Sequence, residues 1–168
     1  MVDFRIRAKT WVFGNDIDTD QIVPGQYLTS PVEEQSQHAF EAILPGFAKQ
    51  FEKGGVLVAG SNFGCGSSRE SAPEVLKHLG VSAVIAESFA RIFFRNAIAI
   101  GLPVLVCPEV TGHVRQGEEV EVDLEKATVS RAADKKVLEG VPLNPIMLES
   151  LRKGGIMKLL ADDGTGIP

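Results

Sequence analysis

Cysteine is scarce in this chain of 168 residues, which has only Cys65 and Cys107. Two cysteines cannot build a disulfide framework, and neither belongs to a Cys-x-x-Cys pair suited to zinc or redox work. A reducing cytoplasm is the simplest expected setting. Long apolar runs are also lacking. None approaches the roughly 18 residues of a membrane span, and residues 1–13 alternate and carry charge, unlike a secretory signal. Nor is there a basic excess. The formal net charge is -5, so no global positive field draws the chain to nucleic acid or anionic lipid. Repeats and low-complexity tracts are missing. What is present, 44% hydrophobic and 23% charged residues, is the balance of a globular domain long enough to bury a core.

Residues 4–12 alternate in the strand manner, with Phe4, Ile6, Ala8 and Val12 on one side. Residues 14–20, GNDIDTD, form an acidic turn-rich stretch, and Pro24-Gly25 marks a turn. Residues 33–44 suit a helix stopped by Pro45-Gly46. Three short apolar runs, 56–59, 83–86 and 104–106, read as buried strands. Between them lie two helical stretches, one ending at Leu79-Gly80 and the other covering residues 89–100 and closed by Gly101. Strand, helix, strand, helix, strand favours parallel pairing. Residues 119–123, 128–131 and 136–138 read as short strands joined by charged turns. Asn144-Pro145 then caps a last helix that stops before Gly154. The expectation is one α/β domain over residues 1–168, with a parallel centre and an antiparallel C-terminal portion.

The chemistry concentrates in GSNFGCGSSRE, residues 60–70, between a buried strand and a helix start. Its three glycines allow tight turning and close approach to a ligand. The helix start offers free N–H groups. Arg69 offers a forked cation for a carboxylate, and Ser67 and Ser68 offer hydroxyls. Ser67 with Glu70 has capping-box spacing, but so does Ser71 with Glu74, and Pro73 favours the later start. The competing account is that Ser67 or Ser68 merely caps the helix. The loop is neither a Walker loop nor a dinucleotide fingerprint. By itself it indicates only a small-anion site.

NFGCGSSRESAP (62–73), DIDTDQIVP (16–24), SFARIFF (88–94) and NAIAIGLP (96–103) recur in the order found in the aconitase-type swivelling domain. In particular they resemble the small subunit of 3-isopropylmalate dehydratase, and the resemblance spans nearly the whole chain. It implies a layered β/β/α fold and a hydro-lyase that moves a hydroxyl between adjacent carbons of a small dicarboxylate. It also implies a separate large subunit carrying a 4Fe–4S cluster, since this chain lacks the thiolates to hold one. By the same resemblance Ser67 is the general base and Ser68 binds substrate or steadies Ser67. Arg69 binds a substrate carboxylate, and Asp20 orients catalytic groups. The segment Tyr27-Leu28-Thr29-Ser30 matches the loop that discriminates substrates. Relatives acting on homoaconitate tend to place arginine third in this loop, where Thr29 stands here. That points to isopropylmalate and leucine biosynthesis, with citramalate and 2,3-dimethylmalate as alternatives. Two departures stand out. Ser71 replaces the histidine of many members, and Val32 stands where aconitase itself has an arginine.

Other features carry less. Asp16, Asp18 and Asp20 have the rhythm that opens a calcium loop, but Gln21 and Tyr27 stand where glycine and glutamate are required. No metal site is expected in the chain. Cys65 is either a reactive thiol or a small loop filler. Arg91 and Arg95 belong either to a solvated edge or to a contact with the loop or the large subunit. A free-standing anion-binding module and an RNA-binding role complete the alternatives, the latter disfavoured by the acidic balance.

Overall fold

The computed structural model describes residues 3–162 and Gly164, so the ends of the expected 1–168 span lie outside the described residues. The chain begins with β1 (Arg5–Val12), α1 (Thr19–Ile22), a 3₁₀ turn (Gly25–Tyr27), α2 (Val32–Gln37) and α3 (Phe47–Gln50). Strand and helix then alternate through β2 (Val56–Ala59), α4 (Ser71–Leu79), β3 (Ala83–Ala86), α5 (Arg91–Ile100) and β4 (Val104–Val106). There follow α6 (Val110–His113), β5 (Glu119–Asp123), β6 (Thr128–Arg131), β7 (Val137–Glu139), α7 (Pro145–Lys153) and α8 (Ile156–Asp162).

The strands line up as β4-β3-β2-β1-β5-β6-β7. β1, β2, β3 and β4 pair in parallel, while β5, β6 and β7 continue antiparallel from the other side of β1. β1 is shared along its length. Thr10 and Val12 register with Val56 and Val58 of β2, and Arg5 and Lys9 register with Asp123 and Glu119 of β5. The two outer ends of the sheet then approach one another. The Val141 N–H, just past β7, donates to the Val106 carbonyl of β4 at 2.8 Å. This is the mixed α/β fold that the sequence indicates, with the parallel and antiparallel parts of one seven-stranded sheet joined through β1.

The strand sequences show why. Val-Leu-Val-Ala in β2 and Ala-Val-Ile-Ala in β3 are buried at every position, as strands covered on both faces must be. Glu-Val-Glu-Val-Asp in β5 alternates, with only Val120 and Val122 buried, as suits a strand with one solvated face. One hydrophobic cluster runs through both halves, from Leu57 and Ile85 to Leu124 and Val129.

Four expectations need correction. The helix expected over 33–44 ends at Gln37, because Phe40 turns to φ +57° and buries its ring. That ring stacks on Phe13 at 4.4 Å and meets Phe47 edge-on at 5.0 Å, a packing gain that overrides local helix preference. The strand expected over 136–138 is Val137–Glu139. Asn144 does cap a helix, accepting from the Met147 N–H at 2.8 Å, but α8 follows it, so α7 is not the last. The acidic stretch is not only a turn, because it ends in α1.

Candidate active site

Three loops leave the carboxyl ends of β1, β2 and β3 and run side by side, at the end of the sheet where open α/β folds place their ligands. The loop after β1 continues the parallel pairing. Gly60 N–H donates to the Gly14 carbonyl at 3.0 Å, Asp16 N–H to Ser61 at 2.8 Å, Gly64 N–H to Ile17 at 2.7 Å and Thr19 N–H to Cys65 at 2.9 Å. The loop after β3 joins from the other side, with Phe63 N–H donating to Ser88 and Ala90 N–H to Phe63. The GSNFGCG segment is therefore the middle strip of three.

Two of its glycines have no substitute. Gly64 adopts φ +83°, and a Cβ there would lie 2.3 Å from Cγ of Phe93. Gly66 adopts φ +98°, and its Cβ position is 3.4 Å from Oγ1 of Thr19. Beneath the loop, Phe63 packs edge-on against Phe93 at 5.2 Å and Phe89 at 6.0 Å. Phe93 and Ile98 are buried, while Phe89, Phe94 and Ile100 pack on the core partly exposed.

The capping account of Ser67 and Ser68 fails. α4 begins at Ser71 and no side chain caps it, so Ser67 and Ser68 stay in the loop, both exposed. They line a cleft of about 210 Å³ together with Thr19, Arg69 and Arg91. Larger hollows, of about 360, 450 and 500 Å³, lie beside β1 and are edged by surface ion pairs such as Arg5 with Asp123 and Arg7 with Glu119.

Arg69 is held in place. Its Nη1 pairs with Asp20 and donates to the Val23 carbonyl at 3.3 Å. The Arg69 N–H donates to the Ser67 carbonyl at 2.8 Å, so base candidate and cation share one tight turn. Ser67 also touches Thr19, with Oγ to Oγ1 at 3.3 Å. The structure thus brings Ser67, Ser68, Arg69 and Asp20 together. It does not bring Tyr27, Leu28, Thr29 and Ser30 into the cleft. Their segment is pinned to α2 instead, with Tyr27 stacked on His38 at 3.7 Å and Gln35 Nε2 donating to the carbonyls of Leu28 at 3.2 Å and Ser30 at 2.9 Å.

The three aspartates do not converge on a cation. Asp16 accepts from Asn62 Nδ2 at 3.1 Å, Asp18 caps α1 through the Gln21 N–H at 2.8 Å, and Asp20 faces Arg69. No cluster of three or more His, Cys, Asp or Glu suited to a metal occurs among the described residues. Burial, followed by the charges of Asp18 and Asp16, pushes the Cys65 thiol up. This favours the filler reading over a reactive thiolate. Burial likewise drives Cys107 up to about 11.

Thr19 was not among the residues the sequence suggested for this site. Its signal was legible in part, because Asp18 and Gln21 have capping-box spacing that starts α1 at Thr19. Arg91 proves to be a second cation of the cleft, on the loop side of α5 as one reading of it allowed.

Comparison with known proteins follows the same lines. The model of the aconitase C-terminal domain family matches residues 15–109. The small subunit 1 of 3-isopropylmalate dehydratase from Methanopyrus kandleri is 48% identical over 160 residues, covering 95% of this chain and 94% of that one. A methanogen homoaconitase small subunit from Methanothermobacter thermautotrophicus is 48% identical over 153 residues, covering 90% and 88%. Among solved structures, a 3-isopropylmalate dehydratase chain from Methanocaldococcus jannaschii superposes with a TM-score of 0.89 at 39% identity, covering 96% of both chains.

Proposed function

The chain belongs to the aconitase C-terminal domain family, as a relative of the 3-isopropylmalate dehydratase small subunits, and from that premise we propose that it isomerises 2-isopropylmalate to 3-isopropylmalate in leucine biosynthesis with a large subunit. The observation that carries the proposal is the convergence of Ser67, Ser68 and Arg69 in one cleft at the strand ends. The chain acts as one swivelling domain, in the cytoplasm, where its two free cysteines stay reduced.

Ser67 takes the proton from the substrate carbon in dehydration and returns it in rehydration. A serine does this only if its ionised form is stabilised, which the neighbouring loop donors and the Arg69 charge accomplish. Arg69 grips one carboxylate, with Asp20 and the Val23 carbonyl fixing the guanidinium so that little rotamer freedom is lost on binding. Ser68 hydrogen-bonds the substrate. Arg91 lines the same cleft, so two cations face a substrate with two carboxylates. A 4Fe–4S cluster, which the large subunit would hold, would supply Lewis-acid chemistry at the substrate hydroxyl. The donors of this chain do not fit such a cluster, because its two thiols are on separate segments and both are pushed towards the protonated form.

The segment Tyr27 to Ser30 lies against α2 rather than in the cleft; in the complex we propose that it borders the substrate, where neutral Thr29 provides no cation for a third carboxylate. An unpaired carboxylate in a closed site costs several kcal/mol, whereas a small alkyl group changes binding by about 1–3 kcal/mol. Homoaconitate is therefore disfavoured more firmly than citramalate or 2,3-dimethylmalate. The test is kcat/KM of the reconstituted complex for isopropylmalate, citramalate, 2,3-dimethylmalate and homocitrate. Preference for isopropylmalate is expected, and preference for homocitrate defeats the argument from Thr29.

A further inference from the structure

We infer that Thr19 is a positioning residue for Ser67, one that holds the serine hydroxyl at rest and stabilises its ionised form during turnover. The inference rests on Ser67 being the base. Thr19 is 2% exposed, yet its hydroxyl is not spent on packing. Oγ1 lies 3.1 Å from the Ser67 carbonyl oxygen and 3.3 Å from Ser67 Oγ. It therefore faces two acceptors of one residue, one of them the atom proposed to take the proton.

The backbone of Thr19 is fixed on three sides. Its N–H donates to the Cys65 carbonyl at 2.9 Å, and its carbonyl accepts from Val23 at 2.9 Å. The preceding Asp18 forms the reciprocal cap with Gln21. Branching at Cβ then limits the side chain to few rotamers. Opposite it stands Gly66, whose φ of +98° carries the chain round so that its Cβ position lies 3.4 Å from Oγ1.

A threonine hydroxyl has one proton to donate and two lone pairs to receive. With Ser67 protonated, Thr19 donates to the Ser67 carbonyl and accepts from Ser67 O–H. Once Ser67 is ionised, the acceptor role disappears, and rotation about a single C–O bond turns the Thr19 proton onto the alkoxide. That charge-assisted bond is stronger than the neutral one it replaces. Ser67, which is exposed, first loses its own proton to solvent; the proton removed from the substrate then ends on Ser67 and is returned on rehydration, and the Thr19 proton never leaves Thr19.

The test compares Thr19→Val, which keeps the shape and loses the hydroxyl, with Thr19→Ser, which keeps the hydroxyl, beside Ser67→Ala, all in the reconstituted holoenzyme. Thr19→Val is expected to lower kcat about tenfold with KM within about twofold. The rising limb of kcat against pH should move up by about one unit, and Thr19→Ser should restore both. A second readout needs no turnover. In the full chain carrying Ser67→Cys, the new thiolate is titrated by its ultraviolet absorbance, with and without Thr19→Val. Thr19→Val should raise that pKa, while Cys65 and Cys107, already pushed up, ionise later. If Thr19→Val does not assemble, Thr19→Ala is read by the same titration. A Thr19→Val enzyme with parent kcat and limb, or an unmoved thiol, overturns the inference alone. A fully active Ser67→Ala enzyme overturns the base assignment and this inference together.

Discussion

On the parallel side of the sheet, β2 and β3 are buried along their whole length, and every polar group of interest is gathered in the loops at one end. On the antiparallel side, β5 alternates buried valines with carboxylates that are exposed at Glu121 and half-buried at Glu119 and Asp123, and its charges pair across the face, as Arg5 does with Asp123 and Arg7 with Glu121. The difference is a division of labour. Strands covered on both faces have nowhere to put a reactive group except their ends, so they form a platform for loops. Strands with one wet face put polar residues along their length, where solvent weakens each pair, and they serve as a wall that completes the core.

This contrast is open to attack by substitution. The largest effect belongs at the loops. Ser67→Ala should reduce turnover of the complex by at least about 100-fold with the melting temperature of the chain unchanged, since the hydroxyl is exposed. A thermal melt beside an activity assay checks both halves of that statement. On the wall, the opposite pattern is expected. Leu124 is fully buried, so Leu124→Ala should cost about 2–5 kcal/mol of stability, measured by denaturant unfolding, with kcat per folded complex near the parent value.

At the seam between the halves, Cys107 follows β4, and its thiol faces the Glu139 carbonyl of β7 with Sγ 4.0 Å from the oxygen. Its thiol ionises near 9.0 when unfolded but is held protonated to about 11 in the fold by burial. Between those values the unfolded chain binds fewer protons, so stability present below pH 9 is lost as the pH rises towards 11. The loss from this group is at most about 2–3 kcal/mol. Unfolding at pH 8, 9, 10 and 11 should show that slope, and Cys107→Ala should flatten it. The smallest effect is expected at Arg152, which pairs with Glu125 at 2.7 Å and covers the Phe4 ring at 4.4 Å on the wall's outer edge. Arg152→Ala should cost less than about 1 kcal/mol and leave turnover unchanged.

The two halves also differed in how far the sequence disclosed them. Continuous runs such as VLVA and AVIA, and the alternation in EVEVD, located their strands without ambiguity, because burial on two faces and on one face leave different periods. What stayed hidden depended on distant partners. Phe40 leaves its helix for rings at Phe13 and Phe47, and no local signal marks that. α8 is short, and no capping residue marks its start in the sequence. In the site, motif order drew attention to Ser67, Ser68, Arg69 and Asp20, and the structure gathers them. Thr19 and Arg91 join the cleft only through pairing of loops far apart in sequence. The segment Tyr27 to Ser30 rests against α2 through Gln35 and His38, a contact between near neighbours in the chain that no periodicity marks.

The most direct test of the account is a titration of the purified chain into anaerobically prepared large subunit, following conversion of 2-isopropylmalate to 3-isopropylmalate. Neither component alone should turn over. The rate should rise with added chain and level off once the complex is saturated. A large subunit that runs at its full rate without this chain, or a chain that turns over by itself, would contradict the claim that the loops of the parallel half supply the base to a shared active site.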